Sequence, residues 1–401
     1  MSWEKVRLGD LCTVLGGYAF KSENFKPEGI PLLRISNIID GEISFKEDCI
    51  CVDELNSASL SKFKVFKNDI LIALSGATTG KFGVYKLDQE AYLNQRVGLI
   101  RSTEKLHQGY FSHYLNILKN EIIQLAQGAA QPNISTNEIS DLQIPLPQLH
   151  VQKRIAEILD AADALKRKDQ QLLKKYDELA QAIFIDMFGD PVKNEKGWNV
   201  KKLKDISIKI HSGNTPKGGS NVYVRSGVTF FRSQNVWKNN LVYDDIAFID
   251  KATHKSMNKS SLNHKDILMT KTGRINTENS SLGRAALFFG DDNSANVNGH
   301  VYLIRLQGGE SHEFVTHILT SQSYRDIIRE VCVGGIDKRQ LNKDHIENFP
   351  IIYPPIVEQI RFAKMLETIK LKQEICKKTA ENSENIFNNL IQKAFKGELV
   401  K

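Results

Sequence analysis

Two long stretches of the chain carry apolar residues at alternating steps of four and three. The first runs through Val151, Ile155, Ile158, Ala162, Leu165, Leu172, Tyr176, Leu179 and Ile183, with Asp169 the one polar residue in the seam. Its other face carries Lys166, Arg167, Lys168, Gln170, Lys174 and Lys175. Such spacing, held beyond the three or four heptads usually required, predicts a long amphipathic helix. The second stretch keeps the register at Phe362, Met365, Ile369, Cys376, Ile386, Leu390 and Ala394 and is interrupted by Lys372, Thr379 and Ser383. Pro145 and Pro147 precede the first helix, and Pro354 and Pro355 the second; proline is tolerated at a helix start. Gly189-Asp190-Pro191 and Gly397 are the stops. At 1.5 Å per residue either helix is roughly 50 Å long and needs a partner to cover its stripe. An antiparallel pair is expected, because each helix must lead back toward the other globular segment. Packing of each on its own domain, or pairing in a dimer, are the alternatives.

Outside the helices, short apolar runs rich in β-branched and aromatic residues read as strands at 30–35, 70–74, 97–101, 228–231, 267–270 and 301–306. Helical periodicity returns near 110–125 and 313–331. Each globular segment is therefore α+β with a small irregular sheet. The segments are also copies of one another at a period of roughly 200 residues, too long for a solenoid and fitting a domain duplication. Trp3, Leu8 and Asp10 match Trp198, Leu203 and Asp205. Arg34 and Asn37 match Arg232 and Asn235, and Asp69-Ile70-Leu71 matches Asp266-Ile267-Leu268. Leu99-Ile100-Arg101 matches Leu303-Ile304-Arg305, Gln152 and Arg154 match Gln359 and Arg361, and Phe188 falls opposite Phe395. The expected architecture is two duplicated globular domains separated by two long antiparallel helices forming a coiled-coil-like spacer. Its boundaries fall at 1–147, 148–190, 191–354 and 355–401.

Composition narrows the function classes. The 401 residues, 41% hydrophobic and 25% charged, fit a soluble protein of two or three domains. A net charge of +7 permits a nucleic-acid partner without requiring one. Five irregularly spaced cysteines argue against a disulfide framework and a zinc site, and point to a reducing compartment. The charged N-terminal segment and the lack of an apolar run near ~20 residues predict a cytoplasmic protein with no membrane partner. No catalytic centre is legible. Gly76, Gly80 and Lys81 are too closely spaced for a P-loop and are followed by Phe82 instead of Ser or Thr. No GxGxxG opens a helix after a strand. Tyr353-Pro354-Pro355-Ile356 lacks the polar first residue and the order of an amino-methyltransferase motif and reads as a helix start. The ten histidines form no metal-spaced pair, and His254, His264 and His300 read as surface or loop residues.

The loops carry nucleic-acid chemistry instead. In the first domain the candidates are Tyr18, Lys21, Ser75, Thr78, Thr79, Lys81, Gln131 and Asn133. In the second they are Asn214, Thr215, Lys217, Lys271, Thr272, Arg274, Asn276, Lys338, Arg339 and Gln340. Glycine lets a backbone approach a phosphate closely, and hydroxyls and backbone amides bond phosphate oxygens. Arg and Lys read guanine edges, Gln and Asn adenine edges, and an aromatic ring can stack or wedge. Any one such loop is more often a solvated turn. Their recurrence at matching places, with different side chains, is what two readers of different sequences would share. Lys81 and Arg274, which close the paired loops 75–81 and 272–274, are the leading basic contacts.

The joints Ile144-Pro145-Leu146-Pro147 with Gln152 and Arg154, and Phe349-Pro350 through Pro354-Pro355 with Gln359 and Arg361, form a set with two endings. These are Met187-Phe188-Gly189-Asp190-Pro191 and Ala394-Phe395-Lys396-Gly397-Glu398-Leu399. With the entries at Trp3 and Trp198, this order of motifs resembles the specificity subunit of type I restriction–modification systems, over nearly the whole length. The resemblance implies that each globular domain is a target recognition domain reading one half of a split, asymmetric double-stranded DNA sequence. It implies that the helices space these domains and dock two methyltransferase subunits, and that restriction subunits can join. It implies no cofactor in this chain, S-adenosylmethionine, ATP and Mg belonging to the partners. Gln152, Arg154, Tyr176, Phe188, Gln359, Arg361 and Phe395 are then the docking candidates. Two other functions stand beside it. A stand-alone methyltransferase or nuclease with fused recognition domains would need a catalytic segment, and none remains unassigned. A protein-binding coiled-coil scaffold would show no salt-dependent DNA binding.

Overall fold

The computed structural model describes residues 3–39, 41–45, 49–54, 60–126, 132–274, 280–335 and 338–400. It divides into two compact units, one of Met1–Gln171 with Lys377–Lys401, the other of Leu172–Cys376.

In the first unit, β1 (Lys5–Arg7), β2 (Cys12–Gly16), β3 (Ile30–Leu33), β4 (Ile70–Ala73), β5 (Phe82–Val84), β6 (Ala91–Leu93) and β7 (Val97–Ser102) come first. They precede α1 (Gln108–Ala126), β8 (Gln143–Pro145) and the start of α2 (Leu149–Phe188). The main sheet runs β2-β7-β4-β5 and continues through the short strands Gly41–Ile43 and Ile38–Ile39, and a smaller one sets β3 beside β6 in parallel. Strand β4 reads as a continuous apolar run because both of its faces are covered. Ile70 and Ile72 point with Ile100 toward Tyr110, Phe111 and Leu115 of α1. Leu71 and Ala73 point with Leu99 toward Leu33, Val65 and Leu93. The expected strand at 30–35 ends at Leu33, because the chain turns at Ile35–Asn37, where the Asn37 Oδ1 accepts the Arg34 amide at 2.8 Å.

The second unit repeats the plan. It holds β9 (Val200–Lys202), β10 (Ser207–Ser212), β11 (Val228–Phe231), β12 (Ile267–Thr270), β13 (Thr272–Gly273), β14 (Ala285–Leu287), β15 (Ala295–Val297) and β16 (Val301–Leu306). Then follow α3 (His312–Thr320), α4 (Tyr324–Val331), β17 (Val333–Gly335), β18 (Lys338–Gln340), β19 (Pro350–Ile352) and the start of α5 (Ile356–Phe395). Its main sheet runs β10-β16-β12-β14, the same order as the first four strands of the first unit's sheet. The register is kept as well: Leu71 lies opposite Leu99, and Leu268 opposite Leu303. The helix expected over 313–331 is two helices. The Ser321 hydroxyl donates to the Ile318 carbonyl at 2.9 Å and accepts the Tyr324 amide at 3.4 Å, closing one helix and opening the next. In both units the entry strand pairs with the strand just before the long helix, β1 with β8 and β9 with β19.

Each long helix has 40 residues, so about 60 Å, longer than expected. In the first unit the start of α2 runs antiparallel to the end of α5. Lys166 Nζ lies 4.3 Å from the Phe387 ring centroid, and Ser383 Oγ donates to Asp169 Oδ2 at 2.5 Å. The two residues read as interruptions of separate seams thus meet each other. In the second unit Phe184 and Phe362 lie 5.3 Å apart, and Gln373 Nε2 donates to Asp177 Oδ1 at 2.7 Å. The seam itself differs from the heptad reading. Leu165, Leu172 and Leu179 are 50%, 41% and 43% exposed, and Ile386 is 53% exposed. The buried stripe is Ile155, Leu159, Ala180, Phe184 and Phe188 on α2, with Phe362, Ile369, Phe387, Ile391 and Ala394 on α5. Large aromatic rings dominate burial energetics; those at the helix ends set the rotation, and a 3.6-residue turn carries the evenly spaced leucines off the stripe.

Candidate nucleic-acid interface

Each domain is braced by the same ion pair. Arg101 donates to Asp69 through Nε at 2.8 Å and Nη2 at 2.6 Å, and the Phe66 amide donates to the same carboxylate at 2.7 Å. Arg305 grips Asp266 through the same two atoms at 2.8 and 2.7 Å, with the Asn263 amide at 2.6 Å. The carboxylates are almost wholly buried. Hydrogen bonding to Asp69 and to Asp266 raises the respective guanidinium pKa further. These four residues belong to two separate repeat motifs whose contact has no local signature in the sequence.

Above this brace, two loops meet at one edge of each domain. A Cβ at Gly17 or Gly213 would run into the carbonyl oxygen of Asn94 or Asn298, so only glycine permits the approach. The next residue is thereby fixed: the Tyr18 amide donates to Leu93 at 2.9 Å and the Asn214 amide to Val297 at 3.1 Å. Tyr18 is 41% exposed and packs on Phe20 and Phe63 at 5.1 and 5.5 Å. Ser75 bridges to Asn133, and Thr272 to Gln340 in the β13–β18 pair. The Lys271 carbonyl accepts the Leu341 amide at 2.9 Å, and its ammonium lies 5.7 Å from the Tyr302 ring centroid. Lys338, Gln340, Thr215, Lys217 and Arg274 are exposed. Among the described residues, Lys217, Lys271, Arg274 and Lys338 have no carboxylate partner, which leaves their charge for a polyanion.

Other candidates sit elsewhere or are already engaged. Thr79 Oγ1 donates to the Gly76 and Pro132 carbonyls at 2.7 and 3.0 Å, stapling its own loop, and Thr78 turns the chain by accepting the Lys81 amide. Lys21 is exposed beside Glu23 at 3.5 Å. Arg339 is half buried, with Nη1 donating to the Cys332 carbonyl at 3.2 Å. Gln131 and Asn276 lie outside the described residues. Lys81 is not the counterpart of Arg274. The Ala73 amide donates to the Lys81 carbonyl and the Thr270 amide to the Arg284 carbonyl, both at 2.8 Å, so Lys81 corresponds to Arg284. The glycines before them, Gly80 and Gly283, share a positive φ of 81° and 66°. Lys81 lines a cleft of about 630 Å³ with Lys119 of α1 and with Asp163 and Arg167 of α2, away from the Ser75–Asn133 edge.

Three docking candidates, Gln152, Gln359 and Phe188, are corrected by their burial, and Phe395 is half-buried. Gln152 is 1% exposed; its amide donates to the Lys105 and Pro147 carbonyls at 3.1 and 2.8 Å and its oxygen accepts the His107 amide at 2.7 Å. Gln359 is equally buried and donates to the Pro354 carbonyl at 2.9 Å. Both amides lock a helix start. Phe188 packs on Phe314 at 4.9 Å, and Phe395 on Tyr114 at 4.9 Å. Arg154, paired with Glu157, and Arg361, near Glu358, stay exposed, and Tyr176 is half buried.

Residues 1–175 and 195–383 match the family described as type I restriction modification DNA specificity domain. The chain belongs to this family. Its relatives include the specificity subunit of the StySPI enzyme of Salmonella potsdam, 24% identical over 99% of this chain and 89% of that protein. The EcoKI specificity subunit of Escherichia coli strain K12 is 25% identical over the same shares. A solved type I S subunit from M. genitalium superposes with a TM-score of 0.60 over 98% of this chain and 96% of that one, at 16% identity. The chain is thus a specificity subunit, the non-catalytic, DNA-recognising component of a type I system. Among the described residues no group of His, Cys, Asp and Glu could hold a metal ion, and no helix is long and apolar enough to cross a membrane.

Proposed function

We propose that this specificity subunit reads a split, asymmetric DNA target, one half-site per domain, and docks methyltransferase and restriction subunits along its long helices. One observation carries the reading. The two domains keep the same brace, sheet order and register, yet their loop edges present Tyr18, Ser75 and Asn133 in one and Asn214, Thr272 and Gln340 in the other. A shared scaffold with different edges reads two different sequences. Docking is supported by the leucines at 165, 172 and 179 and by Leu371 and Ile375, which are 41–58% exposed on the helices. Exposed apolar stripes of this kind mark protein contacts. The partners would bring S-adenosylmethionine, ATP and Mg. Adenine methylation mapped across the genome of cells carrying the complete system should reveal two unlike short sequences separated by a fixed gap. A continuous or palindromic motif would overturn the bipartite reading.

A further inference from the structure

We infer that Arg96 and His300 are a matched pair of base-reading residues, one for each half-site. The assignment rests on the DNA-reading function proposed above and names a part of the edge that function leaves open.

The two residues occupy the same place in the duplicated scaffold. Each is the third residue of a tight loop, 94–96 between β6 and β7 and 298–300 between β15 and β16. The loops are held by the same three backbone bonds. The Asn94 amide donates to Leu33 at 3.1 Å and the Asn298 amide to Phe231 at 2.8 Å. Val97 closes the first loop on Asn94 and Val301 the second on Asn298, both at 2.9 Å. The Leu74 amide donates to the Arg96 carbonyl at 3.0 Å, and the Lys271 amide to the His300 carbonyl at 2.8 Å. Each residue therefore stands between the Gly17 or Gly213 contact on one side and the Ser75–Asn133 or Thr272–Gln340 pairing on the other.

The scaffold is fixed while the side chain is free. Arg96 and His300 are both exposed, and among the described residues neither side chain has a hydrogen-bond or charge partner. Arg101, five residues beyond Arg96, is by contrast held by Asp69 and by the Lys64 carbonyl. The other loop positions are spent in the second domain: the Asn298 Oδ1 accepts the His300 amide at 3.1 Å, and a Cβ at Gly299 would press on Thr215 Oγ1. His300 is the side chain that remains. A guanidinium presents a planar fork of donors that matches the two acceptors of a guanine edge. An imidazole is shorter and, when neutral, offers one donor and one acceptor. The pair thus has one address and two chemistries.

The test is selection from a pool of DNA duplexes with randomised half-sites, using the native complex purified through this full chain. Arg96→Ala should lose roughly tenfold to a hundredfold of discrimination at one base pair of one half-site, with the other half-site unchanged. Arg96→Lys, which keeps the charge but not the fork, should hold non-specific affinity and lose the same discrimination. His300→Arg should create a guanine preference at one position of the other half-site. Unaltered selection in these variants beside a bipartite wild-type selection overturns this assignment alone, as does an affinity loss uniform across sequences. A wild-type complex that selects no bipartite sequence overturns the function proposed above and this assignment with it.

Discussion

The Asp266 carboxylate is withdrawn from water, held by one guanidinium and one backbone amide. Removing it strands a partly buried Arg305. Asp266→Ala should therefore cost about 3–5 kcal/mol, read by urea unfolding, and Asp69→Ala should do the same to the first domain. A second residue ties stability to pH. The His317 ring lies 4.7 Å from Phe184 and 5.0 Å from Phe362. Burial, helped by Lys238 and Lys370, pushes its pKa down to about 4. An unfolded histidine titrates near ~6.5, so between those values the unfolded chain takes up a proton that the folded chain refuses. The contribution is complete above that range and is lost as pH falls through it, up to roughly 3 kcal/mol. Comparing unfolding at neutral and mildly acidic pH, His317→Leu should flatten the slope by that amount; a slope equal to wild type's would refute it.

Elements were read well where both faces are buried and poorly where they turn. The strands at 228–231, 267–270 and 301–306 agree residue for residue with the fold, because burial of most positions keeps each run largely apolar, with polar members such as Thr229 and Arg305. Sequence pairs Lys81 with Arg274 because the turn after the strand differs in length: seven positions separate Ala73 from Gly80, but thirteen separate Thr270 from Gly283. No pattern of polarity marks where such an insertion starts. The loop of Arg96 contains no Gly, Ser or Thr to mark it, and His300 reads from sequence only as a surface or loop residue, because nothing local shows that the two loops share one place in the fold. The heptad leucines form a stripe that lies exposed on the helix instead of in the buried seam. If they meet other subunits, Leu165→Glu with Leu172→Glu and Leu179→Glu should leave the unfolding midpoint unchanged and abolish co-purification of methyltransferase subunits. A destabilised chain would instead place these leucines in the core.

At the scale of the whole molecule, the core of the first unit draws on chain ends far apart in sequence. Phe387, Ile391 and Ala394 are buried with Tyr110, Ile155 and Leu159. A chain ending at Cys376 should lose the unfolding transition of the first unit and keep that of the second, whose residues it retains in full; two surviving transitions in calorimetry would contradict this. The duplication was legible because paired motifs recur in one order, whereas the closure of the first core by the last helix leaves no local trace.

The pairing of β1 with β8, and of β9 with β19, means that the chain enters and leaves each domain at neighbouring points. A segment bounded in this way behaves like a cartridge with a standard socket. Its interior can be exchanged by recombination for a foreign one of the same plan without rerouting the backbone around it. If each domain reads one half of the target, as proposed above, a lineage carrying such a gene changes either half in a single genetic event, and its specificities multiply by combination instead of accumulating one substitution at a time.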